Sequence, residues 1–221
     1  MAEIDRTDKG GSAGAPRQAI DLDDDGIPAE ARTAILRLLE EIDYLRLEIE
    51  ANNKRIAELE DLADRDPLTP VVNRRAFMRE LDRTKAYADR YGGGASLIYL
   101  DLDGMKDIND RFGHAAGDRA LLLVAETLAA NVRSSDLVGR LGGDEFGIIL
   151  SRASHRAAEE KAEMLMRLIG ALVIDSIGGP IPVSISYGIA ELKSHANADA
   201  ALAAADREMY QRKKQRHGGK G

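Results

Sequence analysis

The chain has 221 residues, of which 44% are hydrophobic and only 4% aromatic, and a formal net charge of −7. That length suits one ordinary domain plus an appendage, and the negative balance argues against general binding to nucleic-acid phosphates. With no cysteine, disulfides, thiolate metal sites and cysteine catalysis are excluded; with no secretory signal and no apolar run near the ~20 residues of a membrane span, the expected location is cytoplasmic.

Residues 1–28 are rich in Gly, Ala and Asp (DKGGSAGAPRQ, DLDDDG) and lack periodicity, so they read as a disordered leader. Residues 29–65 are different. Ile35, Ile42, Ile49, Ile56 and Ala63 recur every seven residues, and Ala31, Leu38, Leu45, Asn52 and Leu59 form a second register. Ile at a with Leu at d favours a parallel two-stranded coiled coil. In that pairing Glu41 faces Arg46 of the other copy, Arg55 faces Glu60, and Asn52 trades stability for a fixed register. The alternative is a single amphipathic helix lying on the globular part, because Leu36, Leu39 and Leu47 widen the stripe.

The heptads stop at Asp66-Pro67, since proline disfavours a helical residue before it. Residues 66–217 then read as one globular domain, with 218–221 a disordered tail. The spacing predicts a helix over about Arg74 to Arg90 ending in GGG, followed by a buried strand, ASLIYLDL. A helix from about Gly117 to Val132 comes next, then a hairpin of Leu137–Leu141 with Phe146–Leu150. A helix from Ser154 to Ile174, a strand IPVSISYGIA and a last helix from Asn197 to Arg212 complete the chain. Alternating helices and strands with one hairpin imply an α/β or α+β fold whose central sheet is of mixed direction.

Three acidic clusters fall in this domain: Asp101 with Asp103 at the end of ASLIYLDL, Asp118 in a helix, and Asp144-Glu145 in the hairpin. A strand end and a hairpin tip can bring carboxylates close enough to repel, and a divalent cation removes that conflict. Oxygen ligands at this spacing suit Mg2+, which prefers carboxylates plus substrate phosphates and water. Gly142 and Gly143 lack side chains, so a ligand can approach the backbone, and they permit φ values that other residues resist. Lys106 lies close by.

Gly142-Gly143-Asp144-Glu145-Phe146 is the GGDEF signature, and the sequence resembles the diguanylate cyclases, which make cyclic di-GMP from two GTP molecules. DPLTPVVNRRAF (66–77), DLDGMKDINDRFGHAAGDRAL (101–121), VSISYGIA and ADREMYQRKK all resemble family motifs in order, over about 62–217. The resemblance implies a palm-like fold: a central sheet ringed by helices, preceded by the coiled-coil helix. It implies that Asp101, the Leu102 carbonyl, Asp144 and Glu145 hold Mg2+, with Mn2+ as the alternative ion. Asp144 would deprotonate the ribose 3′-hydroxyl with Glu145 in support. Asn109 and Asp118 would read the guanine edge beside His114, with Gly142 and Gly143 making room and Arg74 completing the substrate set. Lys106 and Lys213 would contact the triphosphate.

The heptads imply a homodimer through the coiled coil, charge and hydropathy imply no nucleic-acid partner and no membrane insertion, and the resemblance further implies product inhibition at an RxxD site, Arg133 and Asp136. The usual second arginine of that site aligns with Met164, leaving Arg167 as its substitute. Other departures are Pro70 for Gly, Met105 for Phe, and Arg216-His217 for Gly-Arg, where Arg216 or Lys214 would replace the phosphate-binding arginine. The rival reading is a catalytically silent module that binds GTP or cyclic di-GMP.

Overall fold

The computed structural model describes residues 28–174 and 179–218. They fall into two compact units that divide between Ala57 and Glu58. The leader expected over 1–28, Pro28 excepted, lies outside the described residues, and so do 219–221. Among the described residues no helix is long and apolar enough to cross a membrane.

Helix α1 (Ala29–Asp64) carries the heptads. Its seam residues Leu38, Ile42, Leu45, Ile49, Ile56 and Leu59 are 44–59% exposed, an aliphatic stripe of the kind that marks an association surface. The Glu60 side chain, expected to face Arg55, is outside the described residues.

After α1 the chain makes a closed turn. Asp66 Oδ1 accepts from the backbone N–H of Leu68 and Thr69 and from the Thr69 hydroxyl, at 3.1, 2.9 and 2.8 Å. Helix α2 (Arg74–Tyr91) follows, capped by the Asn73 side chain and ended by Gly92 at φ 81, in the left-handed region that favours glycine. Strand β1 (Ala95–Leu102) is ASLIYLDL, buried except at Asp101. A short helix α3 (Met105–Phe112), absent from the sequence expectation, then intervenes before α4 (His114–Ala130). Gly104 and Gly113, at φ 74 and 83, form the two sharp joints around it.

Strands β2 (Leu137–Arg140) and β3 (Glu145–Ser151) form the expected hairpin, and α5 (His155–Gly170) follows. The helix expected to reach Ile174 stops at Gly170 because Val173–Ile174 (β4) pairs with Ile181–Pro182 (β5). The strand expected over IPVSISYGIA is therefore two strands, β5 and β6 (Ile185–Glu191). A 3₁₀ turn (Leu192–Ser194) leads to α6 (Ala198–Gly218), which overruns the expected end at Arg212 and takes up the first residue of the expected tail.

The main sheet has the order β2-β3-β1-β6, and each strand pair is antiparallel. A parallel bridge from Val72 to Gly139 at its edge is the one parallel pairing among the described residues, so the sheet is mixed in direction only there. One face buries Ile98, Leu100, Phe146 and Ile148 against Leu121, Val124 and Leu128 of α4 and Leu165 and Ile169 of α5. The other buries Leu97, Tyr99 and Ile149 against Phe77 and Leu81 of α2 and Ala201, Ala205 and Met209 of α6. Each such large side chain contributes roughly 1.5–3 kcal/mol on burial. Gly188 lets α6 lie directly on β6: a Cβ there would run into the Ala205 carbonyl and the Met209 nitrogen.

Candidate active site

The β1–β3 register sets Asp101 opposite Glu145, and the Leu102 N–H donates to the Asp144 carbonyl at 3.0 Å. The strand end and the hairpin tip are thus side by side, with acids on both. Burial pushes the Asp101 carboxyl above its ordinary range; Lys213 opposes that rise, while the Asp144 and Asp103 charges add to it. Lys213, from α6, pairs with Asp101 and lies 3.7 Å from Asp103 Oδ1. Asp103 is held in turn by the hydroxyls of Ser186 and Ser184, which donate at 2.8 and 3.2 Å.

Glu145 bends over Gly142, where a Cβ would collide with its carboxylate. Behind it stands the buried Tyr99, whose hydroxyl faces that carboxylate; burial and the carboxylate's charge push the phenol well above its ordinary pKa. The two signature glycines do not need unusual backbone. The described glycines with positive φ are Gly92, Gly104, Gly113 and Gly179, so the expectation that Gly142 and Gly143 exploit restricted φ values is corrected. Their contribution is space: a Cβ at Gly143 would meet no protein atom within 4 Å.

That space belongs to a cavity of about 480 Å³ between the hairpin and the α3–α4 pair. Lys106, Asn109, His114, Asp118, Gly143 and Asp144 all line it, so six of the expected residues converge. Asn109 leans on Gly117, where a Cβ would strike its amide oxygen. Arg74 is placed elsewhere, donating to the Leu141 carbonyl at 2.9 Å at the base of the turn. Sequence reading missed Arg140. It lines the cavity, donates to the Gly143 carbonyl at 2.7 Å and pairs with Asp66 at 3.1 Å. Its only sequence signal is the position two residues before the signature.

Among the described residues, no three His, Asp or Glu side chains gather closely enough to hold a metal alone. The donors present are nevertheless hard oxygens, and the charged form of Asp101 is disfavoured by burial and by neighbouring acids, a conflict that a cation relieves. Such a set fits Mg2+ whose remaining ligands are phosphate and water.

Arg133 and Asp136 line a separate cavity of about 300 Å³, together with Arg65 and Asp64. Asp136 accepts from the N–H of Arg133 at 3.1 Å and of Ser151 at 3.2 Å. Arg167 is not among that cavity's described lining residues and lies 3.9 Å from Glu163. Lys214 stacks on the Tyr210 ring at 4.6 Å. The side chains of Arg216 and His217 are outside the described residues.

Residues 63–218 match the family described as "Diguanylate cyclase, GGDEF domain". The chain belongs to the GGDEF family. It is 37% identical over 183 residues to the diguanylate cyclase TpbB of Pseudomonas aeruginosa, covering 82% of this chain and 41% of that one. To the diguanylate cyclase DgcP of the same species it is 32% identical over 177 residues, 80% of this chain and 26% of the other. It thus spans well under half of these curated GGDEF relatives. Among solved GGDEF structures it is similar to the coiled coil and GGDEF domain of DgcB from Caulobacter crescentus in complex with c-di-GMP. That likeness has a TM-score of 0.71 and 26% identity, covering 82% of this chain and 95% of the other. It is also similar to the diguanylate cyclase SiaD of P. aeruginosa, solved with its activator SiaC, at TM-score 0.73 and 28% identity, covering 84% and 72%.

Proposed function

We propose that the protein is a diguanylate cyclase, condensing two GTP molecules into cyclic di-GMP and two pyrophosphates. The observation that carries this reading is the convergence of Asp144, Lys106, Asn109 and Asp118 on one cavity, with Asp101 paired opposite Glu145, the residue next to Asp144. Asn109 and Asp118 offer an amide and a carboxylate to the guanine edge; adenine would leave them unpaired. Lys106 and Lys213 balance the negative charge of the triphosphate. Mg2+, held by Asp101, the Leu102 carbonyl, Asp144 and Glu145, would supply Lewis-acid polarisation of the phosphate and the nucleophile.

Asp144 takes the proton of the ribose 3′-hydroxyl. That oxygen bonds to the α-phosphorus of the second GTP as the bond to pyrophosphate breaks, and the reciprocal step closes the ring. One site holds one GTP, so two domains must face each other. The exposed stripe on α1 supports a parallel coiled-coil dimer that raises the effective concentration of one domain for the other. Arg133 and Asp136, with bidentate and acceptor chemistry suited to phosphate and guanine, form the site of product inhibition.

The test is pyrophosphate release from GTP as a function of protein concentration, for the whole chain and for a chain beginning at Asp64. Specific activity should stay level for the former and fall with dilution for the latter. Equal specific activity for both at low concentration would contradict the role given to α1.

A further inference from the structure

Lys213 sits among the carboxylates at the end of β1. Its ammonium pairs with Asp101 and lies 3.7 Å from Asp103, and the Asp144 charge also acts on it. The three side chains are 29%, 14% and 11% exposed, so water screens this cluster only in part. The backbone carrying Lys213 is pinned. Next to it, Arg212 pairs with Glu159 at 3.1 Å and Glu208 at 2.6 Å and lies over the Tyr187 ring at 4.5 Å. Only the four-carbon stem of Lys213 is then at liberty to move.

We propose that Lys213 is the resident counter-ion of the carboxylate site, and that it makes the site select the metal–triphosphate complex over the free metal. This rests on Asp101 being a metal-holding residue. A bare divalent ion approaching Asp101 must evict the ammonium into water and brings no phosphate oxygen to receive it. A metal bound to nucleotide brings phosphate oxygens with it. The ammonium exchanges a carboxylate for a phosphate while the metal takes its former place, so neither charge is left buried and unpaired. Lys213 thus acts in opposite directions on two affinities, weakening that for free metal and strengthening that for substrate.

Mn2+ titrated into the whole, nucleotide-free chain and followed by electron paramagnetic resonance reads this directly. Lys213→Met should bind Mn2+ about tenfold more tightly, the equivalent of ~1.4 kcal/mol, while the KM for Mg·GTP rises. Unchanged or weaker Mn2+ binding in Lys213→Met would overturn the proposal. Should that variant fail to fold by circular dichroism, Lys213→Gln carries the same expectation. The double variant Asp101→Asn, Lys213→Met separates the premise from the inference. Tightened Mn2+ binding that survives the loss of Asp101 would mean that Asp101 is not a ligand; its disappearance supports both.

Discussion

Arg140 and Asp66, 74 positions apart, form an ion pair of 3.1 Å in which both side chains are about seven-eighths buried, at 15% and 12% exposure. The same guanidinium donates to the Gly143 carbonyl at 2.7 Å. One arginine therefore ties the turn after α1 to the turn of the signature. Arg140→Ala leaves Asp66 without its cation and the glycine turn without its brace. It should cost about 2–4 kcal/mol in urea denaturation and raise the KM for GTP. Stability and KM within error of the parent would show that the brace is dispensable.

Asp66 also sets an acid limit. Burial pushes its pKa up, but hydrogen bonds from Thr69 and Arg140 and the arginine's charge outweigh that, and the folded value lies below the ordinary one. A carboxyl depressed on folding stabilises fully above its unfolded value, about 4, and loses that contribution as pH falls through the folded value. Stability measured from pH 5 downward should fall less steeply for Asp66→Asn than for the parent chain. Parallel curves would contradict this.

Asp101 carries the opposite sign. Its folded pKa is raised, chiefly by burial and despite Lys213, so the ionised carboxylate costs the fold stability once pH exceeds the unfolded value. Asp101→Asn should therefore melt at the parent temperature or about 2–5 °C above it while making no product. A lower melting temperature would mean that the ion pair with Lys213 is worth more than the burial costs.

Much of the fold was legible because its strongest signals are periodic. The heptad stretch is helical as α1, and the unbroken apolar run of β1 and the apolar–glycine–acid hairpin bury residues in the pattern read from the chain. Helix α3 was not legible: it has eight residues, buries only Met105 and Ile108, and sits between two glycines that look like loop. The end of α5 was missed because Leu172 to Ile174 continue its apolar pattern, while the pairing of Val173 with Pro182 is non-local. In the candidate site, the six motif residues that share one cavity were legible. Arg140 with Asp66, the two serines on Asp103, and Tyr99 behind Glu145 were not, because each contact joins segments distant in sequence or adjacent only through strand register.

Gly188 tests the packing that delivers Lys213. A methyl group there would meet the backbone of Ala205 and Met209, which cannot swing aside as a side chain could. Gly188→Ala should destabilise the domain by about 3 kcal/mol or more through displacement of α6. A loss below ~1 kcal/mol would show that α6 can lift from β6 at little cost.

The central claim is that Asp144 and its neighbours turn two GTP molecules into one cyclic dinucleotide. Purified protein incubated with GTP and Mg2+, with products identified by mass spectrometry, tests it most directly. Cyclic di-GMP with two equivalents of pyrophosphate from the parent chain, and neither from Asp144→Asn, is the expected result. GTP that is bound but recovered intact from the parent chain would contradict it and leave a nucleotide-binding module in its place.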